Sequence, residues 1–199
     1  RYHLAALPRS LDRTQRLGDT GGTSNEGVTV RAVVVFESLW GNTEQIAQQV
    51  ASGLGESRPD LEVEIRQAST DPLAVGNLDL IVVGGPTHAF SMSSPATRNG
   101  AAQQGATHVP DAGIREWIEA QPTPTLPVRA AAFDTRVVSP RLPGSAAKKA
   151  LKRLVRLGFQ PVAEPETFGV HGYGGPVAEG ELERARAWGA ELAGSLPTS

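Results

Sequence analysis

The sequence predicts an α/β fold in which one parallel β-sheet carries helices on both faces. Short apolar, β-branched runs alternate with helical patterns along the chain, and this alternation is typical of a parallel sheet. The runs at residues 33–36 and 79–84 are apolar almost throughout, so we expect both strands to be covered on both faces. The chain has 199 residues, 39% of them hydrophobic, which is enough for one domain with a sizeable core.

The remaining elements follow from periodicity and from the residues that interrupt it. Residues 61–66 alternate apolar and polar positions, so they are predicted to form an edge strand with one exposed face. Gly53 and Gly55 are predicted to bracket the C-terminal end of the first helix. A short fifth strand is expected somewhere within 159–168. The other predicted elements are strands 31–36, 79–84 and 128–133 and helices 43–54, 95–104, 112–120, 145–157 and 179–193.

Residues 1–27 are not expected to join the fold. They contain few β-branched residues and end in GDTGGTSNEG, a composition typical of a flexible linker. We predict a disordered N-terminal extension over 1–27 and a single domain over 28–199. The extension would be sequence foreign to the native protein or upstream sequence read in front of the true start. A regulatory or docking arm is the alternative.

Composition argues against several classes of function. With 19 basic and 21 acidic residues the net charge is -2, so no global charge favours nucleic acid or a membrane surface. The chain has no cysteine, which excludes disulfides, cysteine-ligated iron–sulfur clusters and thiol catalysis. His3, His88, His108 and His171 lack metal-ligand spacing, so we expect no metal site. We expect a cytoplasmic protein.

The loop between the first strand and the first helix has the chemistry of a phosphate site. It ends at a helix N-terminus, where unpaired N–H groups and the helix dipole favour an anion. Ser38 and Thr43 add hydroxyl donors, Asn42 adds an amide, and Gly41 lets the main chain approach a ligand closely. An ordinary βα turn with a helix cap is the alternative.

Two further loops are expected to meet this one. Ligands of doubly wound sheets bind beyond the carboxyl ends of the strands, where the strand order reverses. If the first strand is central, the loops after strands one, three and four converge at that edge. These are residues 37–42, 85–92 and 134–138.

The motif around the first loop resembles the FMN-phosphate signature of flavodoxins. It reads Val34-Val35-Phe36-x-Ser38-x-x-Gly41-x-Thr43-x-x-x-Ala47-x-x-Val50, and the later GGPTH, residues 84–88, resembles their second FMN loop. The resemblance covers residues 31–193 and is closest to small single-domain proteins of high-G+C bacteria. It implies a flavodoxin-like doubly wound sheet of five parallel strands in the order 2-1-3-4-5, with FMN as cofactor.

The resemblance also implies which residues hold the cofactor. The FMN phosphate would be wrapped by Ser38, Leu39, Trp40, Gly41, Asn42 and Thr43. One face or edge of the isoalloxazine would lie along Pro86, Thr87, His88, Ala89 and Phe90. The other side and the pyrimidine edge would be held by Asp134, Thr135, Arg136 and Val137. Phe90, His88 and Trp40 remain alternatives for the side chain that stacks on the ring.

The implied function is electron transfer, without a catalytic residue of the protein's own. The partner would be a redox protein or a small-molecule electron acceptor, and the chain would be a monomer or a weak dimer. An FMN-dependent NAD(P)H:quinone or nitro-compound oxidoreductase is the alternative. A phosphorylated receiver is disfavoured, because the places that need acidic residues hold a lone Glu37 and Gly84–Gly85.

Three other features of the sequence bear on the function. Arg136 would put a positive charge near the ring, favouring a reduced, anionic flavin. The basic stripe 148–156 is interpreted as a solvated helix face, with docking of an acidic partner as the alternative. The HGYGG segment, 171–175, is interpreted as a plain turn, with closure over a second substrate as the alternative.

Overall fold

A computed structural model describes residues 30–140 and 143–197 of the chain. The strands are β1 (Val30–Phe36), β2 (Leu61–Gln67), β3 (Leu80–Pro86), β4 (Arg129–Val137), β5 (Gln160–Pro161) and β6 (Glu166–Val170). The helices are α1 (Asn42–Ser57), α2 (Pro95–Gln103), α3 (Ile114–Ala120), α4 (Ala146–Arg156) and α5 (Glu181–Gly194). The predicted extension, 1–27, lies outside the described residues. Within the described ranges, none of the helices is long and apolar enough to cross a bilayer.

The sheet has the predicted arrangement. Its strands are all parallel and follow the order β2-β1-β3-β4-β5, with β6 also paired to β4. The predicted edge strand is confirmed, since β2 lies at one end of the sheet; the alternation of covered and exposed residues holds from Leu61 to Glu64, whereas Ile65 is 38% exposed. The doubly wound fold with order 2-1-3-4-5 is therefore confirmed, with a sixth strand added.

The fifth position of the sheet is shared by two segments. Ala130 of β4 pairs with Pro161 of β5, and Phe133 of β4 pairs with Glu166 of β6. Between these two pairs, β4 advances by three residues, whereas the chain from β5 to β6 advances by five. The segment between β5 and β6 therefore holds two extra residues, and it interrupts the hydrogen-bond ladder with β4. Pro165, which has no N–H to donate, lies in this break.

The two faces of the sheet bury separate apolar clusters. Val33 and Val35 of β1 point towards the cluster that includes residues of α3 and α4. Ala32 and Val34 point to the opposite face, which packs against α1 and α5. Both faces are covered because successive strand side chains point to opposite sides, and this is why β1 is apolar along most of its length.

Two predicted element boundaries are wrong, and in each case the cause is a contact with a distant part of the chain. The strand predicted to end at Phe133 continues to Val137, because β6 extends its hydrogen-bond ladder. Asp134, Thr135, Arg136 and Val137 therefore lie on β4, not in the loop that follows. Helix α1 does not end at Gly53 or Gly55 but runs through both to Ser57. The buried Gly53 lies against the main chain of α5, where a side chain would not fit.

Candidate functional site

The cradle loop, residues 38–43, joins β1 to α1 and leads into an uncapped helix N-terminus. Gly41 holds a left-handed conformation with φ of 85° and precedes the first helical residue, Asn42. Within the described residues no side chain accepts from the first N–H groups of α1, so these groups lack the usual side-chain cap. Uncapped N–H groups and the positive end of the helix dipole together favour an anion at this position.

Two buried hydroxyl groups flank the same N-terminus. Ser38 is 3% exposed, and its Oγ has no hydrogen-bond partner among the residues that the structure describes. Thr43 Oγ1 lies 2.8 Å from Thr135 Oγ1, which links the start of α1 to β4. A buried hydroxyl without a partner costs about 1–3 kcal/mol. The Ser38 hydroxyl is therefore suited to an acceptor that a ligand would bring.

The loop after β3 forms a tight turn with an unusual backbone. His88 and Ser91 exchange main-chain hydrogen bonds of 2.8 and 2.9 Å. The two residues between them, Ala89 and Phe90, have φ values of 45° and 69°. This left-handed region normally favours glycine, and non-glycine residues there store energy. Such strain is often found at ligand sites, where the surrounding structure maintains it.

Asp134 is buried, but its carboxylate is used within the protein. Its Oδ2 accepts hydrogen bonds from Thr87 Oγ1 at 3.0 Å, Ser145 Oγ at 2.6 Å and the Ala147 N–H at 3.0 Å. Thr87 Oγ1 in turn accepts from the Ala146 N–H at 2.9 Å. These bonds join the carboxyl ends of β3 and β4 to the N-terminus of α4. Asp134 therefore positions Thr87 rather than lining a cavity.

Two cavities lie at the carboxyl ends of the strands. The small cavity, about 50 Å³, is lined by the cradle loop, by the carboxyl ends of β3 and β4 and by residues of the segment 170–173. The large cavity, about 580 Å³, is lined by the turn after β3, by α2 and by the segment after β4. Trp40, Thr87, His88, Arg136, Val137, Gly172 and Tyr173 line both. A volume of this size falls in the range of small-molecule sites.

The structure brings together most of the site residues predicted from sequence. Leu39, Ala89 and Phe90 each line one of the cavities, and of the predicted set only Gly41 and Asp134 line neither. Gly41 instead shapes the helix N-terminus, and Asp134 acts through Thr87. The residues that sequence reasoning missed are Thr97, Gly100, Ala101 and Gln104 of α2, Ser139, Pro140, Pro143, Val170, Gly172 and Tyr173.

Tyr173 is the most informative of the missed residues. Its ring stacks on Trp40, with centroids 5.7 Å apart and an interplanar angle of 24°. Its carbonyl oxygen accepts a hydrogen bond of 3.2 Å from the Asn42 side chain. The HGYGG segment thus contacts the cradle loop across 131 residues of sequence. The glycines and the tyrosine of this segment were the sequence features that could have indicated a role at the site, although the segment was interpreted as a plain turn.

The electrostatics of the two cavities depend on His88 and Arg136. Burial, assisted by the positive charge of Arg98, lowers the pKa of His88, so its imidazole is neutral at pH 7. Among the described residues that line either cavity, Arg136 is the one with a formal charge. Its guanidinium donates to the Gly144 carbonyl at 2.5 Å. The site therefore combines a cation with neutral donors, which suits an anionic ligand.

Glu37, the residue before the cradle loop, is a buried acid beneath the site. It is 1% exposed, and its Oε2 accepts from the Ile114 N–H at 2.9 Å, whereas its Oε1 has no partner within 30–140 and 143–197. Burial raises its pKa above 4.5, although the nearby Ser93 hydroxyl, the Ile114 N–H and the charge of Arg98 oppose that rise. The folded protein therefore releases the Glu37 proton at a higher pH than the unfolded chain does.

Replacing this acid, Glu37→Gln, is expected to change how stability depends on pH. Below about pH 4.5 both states of the wild type are protonated, and the two proteins differ least. As pH rises towards the raised folded pKa, the unfolded wild type ionises first and its free energy of unfolding falls relative to the variant. Urea unfolding from about pH 4 to about pH 8 measures this difference. Parallel curves for the two proteins would show that folding does not raise the pKa of Glu37. Glu116, whose own pKa is lowered and whose charge adds to the rise of the Glu37 pKa, is present in both proteins.

Comparisons with known proteins identify the fold. No protein-family model and no curated protein matches the chain. Flavodoxin 1 from Bacillus cereus is 20% identical with a TM-score of 0.59, over 84% of this chain and 99% of its own. A Streptococcus pneumonia TIGR4 flavodoxin is 20% identical with a TM-score of 0.57, over 83% and 99%. A flavodoxin from the domain Archaea is 16% identical with a TM-score of 0.56, over 83% and 97%.

The overlap extends over nearly the full length of these solved structures. The resemblance to proteins of high-G+C bacteria stays a prediction, since none of these three structures bears on it. Together with the strand order and the placement of the cavities, the overlap shows that this chain has a flavodoxin-like fold.

Proposed function

We propose that the chain binds FMN, with the cradle loop as the phosphate site. The observation that carries this proposal is the buried Ser38 hydroxyl beside the uncapped N-terminus of α1; this hydroxyl has no partner in the described part of the chain. A phosphate oxygen would accept from both kinds of donor. The cradle loop holds no Lys or Arg, so main-chain N–H groups and hydroxyls would carry the binding. The residues present therefore fit the group.

The large cavity supports the same cofactor. Trp40, His88, Phe90 and Tyr173 place aromatic or flat side chains on its wall, as a planar ring system requires. Phe90 is 50% exposed, and Tyr173 is 65% exposed. Such exposure of large apolar side chains at a concave site is typical of a binding surface. Tyr173 joins Phe90, His88 and Trp40 as a candidate for contact with the isoalloxazine.

We propose electron transfer as the role of the bound cofactor. FMN supplies the redox chemistry when bound, and the chain binds and orients it and sets the local field. Arg136 would stabilise negative charge on the ligand, because it is the charged side chain on the described walls of both cavities. The solved structures with this fold include flavodoxins from Bacillus cereus and Streptococcus pneumonia, which agrees with the proposal.

Removing the Ser38 hydroxyl, Ser38→Ala, is the direct test. A hydrogen bond to a charged group is worth about 1.5–3 kcal/mol, so we expect the Kd for FMN to rise about 10- to 100-fold. The FMN-free protein should keep or gain stability, because the lost hydroxyl had no partner. Flavin fluorescence titration measures the first effect, and urea unfolding of the FMN-free protein measures the second.

Ser52→Ala is the matched control on the same helix. Ser52 is exposed, and its hydroxyl donates to the Gln48 carbonyl at 2.9 Å, away from the cradle loop. We expect its Kd for FMN to equal that of the wild type. Equal affinity for FMN in the Ser38 and Ser52 variants would contradict the assignment of the cradle loop as the phosphate site. A wild-type protein that stays colourless with excess FMN would remove the proposed function altogether. Repeated turnover with NADPH and a quinone would identify an oxidoreductase instead of a carrier.

A further inference from the structure

The turn after β3 borders two concave surfaces. Ala89 and Phe90 line the large cavity, whereas the next residue, Ser91, lines a separate cleft of about 260 Å³. We call this second surface the basic cleft. Its charged lining consists of Arg115 from α3 and Lys149, Lys152, Arg153 and Arg156 from α4. No carboxylate belongs to its lining among the residues that the structure describes.

Most of the positive charge in the basic cleft is uncompensated. Lys149, Lys152 and Arg156 are exposed and have no salt-bridge partner within 30–140 and 143–197. Arg153 pairs with Glu119. The Arg115 guanidinium donates to the main-chain oxygens of Ser93 and Met92, each at 2.9 Å, and these groups are neutral. A concentrated positive potential therefore remains on a chain whose net charge is -2.

The shape of the basic cleft favours an extended acidic surface over a single small anion. Lys149, Lys152, Arg153 and Arg156 follow the spacing of one helical face, so they extend about 10 Å along α4. Exposed lysines on flexible side chains do not form a fixed cage for one anion. They suit rapid electrostatic steering of a protein partner that carries carboxylates over a comparable length.

We propose that the basic cleft docks an acidic electron-transfer protein beside the large cavity. Docking there would place the partner against the turn 88–91, whose half-exposed Phe90 lies on the wall of the large cavity. The redox nature of the partner rests on the proposed function. The docking itself does not need FMN, because every residue of the basic cleft lies outside the two cavities.

An acidic plant-type [2Fe–2S] ferredoxin, kept oxidised, is a suitable probe. We expect calorimetric titration with the FMN-loaded protein to show binding that weakens at least tenfold between about 20 and about 200 mM NaCl. The variant Lys149→Glu, Lys152→Glu, Arg156→Glu should lose at least tenfold in affinity at the lower salt concentration. The same titration on FMN-free protein should again show tighter binding of ferredoxin by the wild type than by the triple variant. This separates the two proposals, since a chain that binds no FMN can still bind the probe.

The matched control makes the same change of net charge elsewhere. Arg31→Glu, Arg66→Glu, Arg186→Glu alters residues of β1, β2 and α5 whose side chains are 42%, 37% and 53% exposed, and it should lose less than threefold in affinity. Circular dichroism and the Kd for FMN should match the wild type in both variants. Equal losses in both variants, or no wild-type binding at the lower salt concentration, would overturn the proposal. Tighter binding of a DNA duplex than of ferredoxin at the basic cleft would show that the class of partner is wrong.

Discussion

Gly53→Ala is expected to lower the free energy of unfolding by about 3 kcal/mol or more. A Cβ at this position would lie 2.0 Å from the Arg186 carbonyl oxygen and 3.0 Å from the Ala190 nitrogen. Both are main-chain atoms of α5, so the two helices would have to separate, and overpacking of this kind costs about 1–3 kcal/mol or more. Gly189 makes the reciprocal approach, since its Cβ would lie 2.2 Å from the Val50 carbonyl oxygen.

Gly55→Ala is the control on the same helix, and it is expected to change the free energy of unfolding in the opposite direction. Nothing lies within 4 Å of a Cβ built at Gly55, and the residue is helical. Alanine is preferred over glycine inside a helix by about 0.5–1 kcal/mol, so this variant should be more stable than the wild type. Urea unfolding of both variants tests the pair. A neutral Gly53→Ala would show that α1 and α5 do not pack this closely.

Arg98→Met is the second change with a large expected effect, about 3 kcal/mol of lost stability. Arg98 is 2% exposed and donates to Glu116 Oε2 at 2.9 Å, Ser93 Oγ at 2.9 Å and the Asp111 carbonyl at 3.0 Å. Breaking a buried ion pair costs about 3–5 kcal/mol, because one charge remains without its partner. We expect a loss at the lower end of this range, since the Glu116 side chain is 24% exposed and keeps some contact with water.

The exposed ion pair of Arg153 and Glu119 is the comparison for this prediction. Both side chains are at least one-third exposed, and such pairs contribute less than about 1 kcal/mol, so Arg153→Met should change stability little. The double variant Arg98→Met, Glu116→Gln should recover part of the loss, because it removes the stranded charge. Chemical unfolding at neutral pH measures all three proteins. Equal effects of Arg98→Met and Arg153→Met would mean that Arg98 is solvated.

The Arg98 network also bears on the site. Helix α2, which carries Arg98, contributes Thr97, Gly100 and Ala101 to the wall of the large cavity. Arg98 joins this helix to α3 through Glu116. Because α2 is short, tertiary anchors of this kind rather than helix propensity hold it in place. We therefore expect Arg98→Met to weaken FMN binding as well as stability.

Sequence alone was sufficient for features whose residues are neighbours in the chain. The cradle loop from Ser38 to Thr43 was predicted because a strand, a turn with glycine and a helix start follow directly on one another. Apart from the strand order, which the resemblance to flavodoxins implied, a parallel sheet with helices on both faces was predicted because buried strands alternate with amphipathic helices. The polar alternation of residues 61–66 predicted the edge strand. Each of these patterns is imposed by local geometry and by burial of a single face, so it is visible without knowledge of the packing.

Only the tertiary structure decided which distant segments complete the site. Tyr173 reaches Trp40 and Asn42 through a segment whose composition indicated no more than a turn. The strand β4 extends to Val137 because β6 pairs with it, and Asp134 faces α4 instead of a ligand for the same reason. The basic cleft likewise needs Arg115 and α4 side by side. Long-range pairing and burial set these placements, and a periodic pattern within one segment carries no information about its neighbour in space.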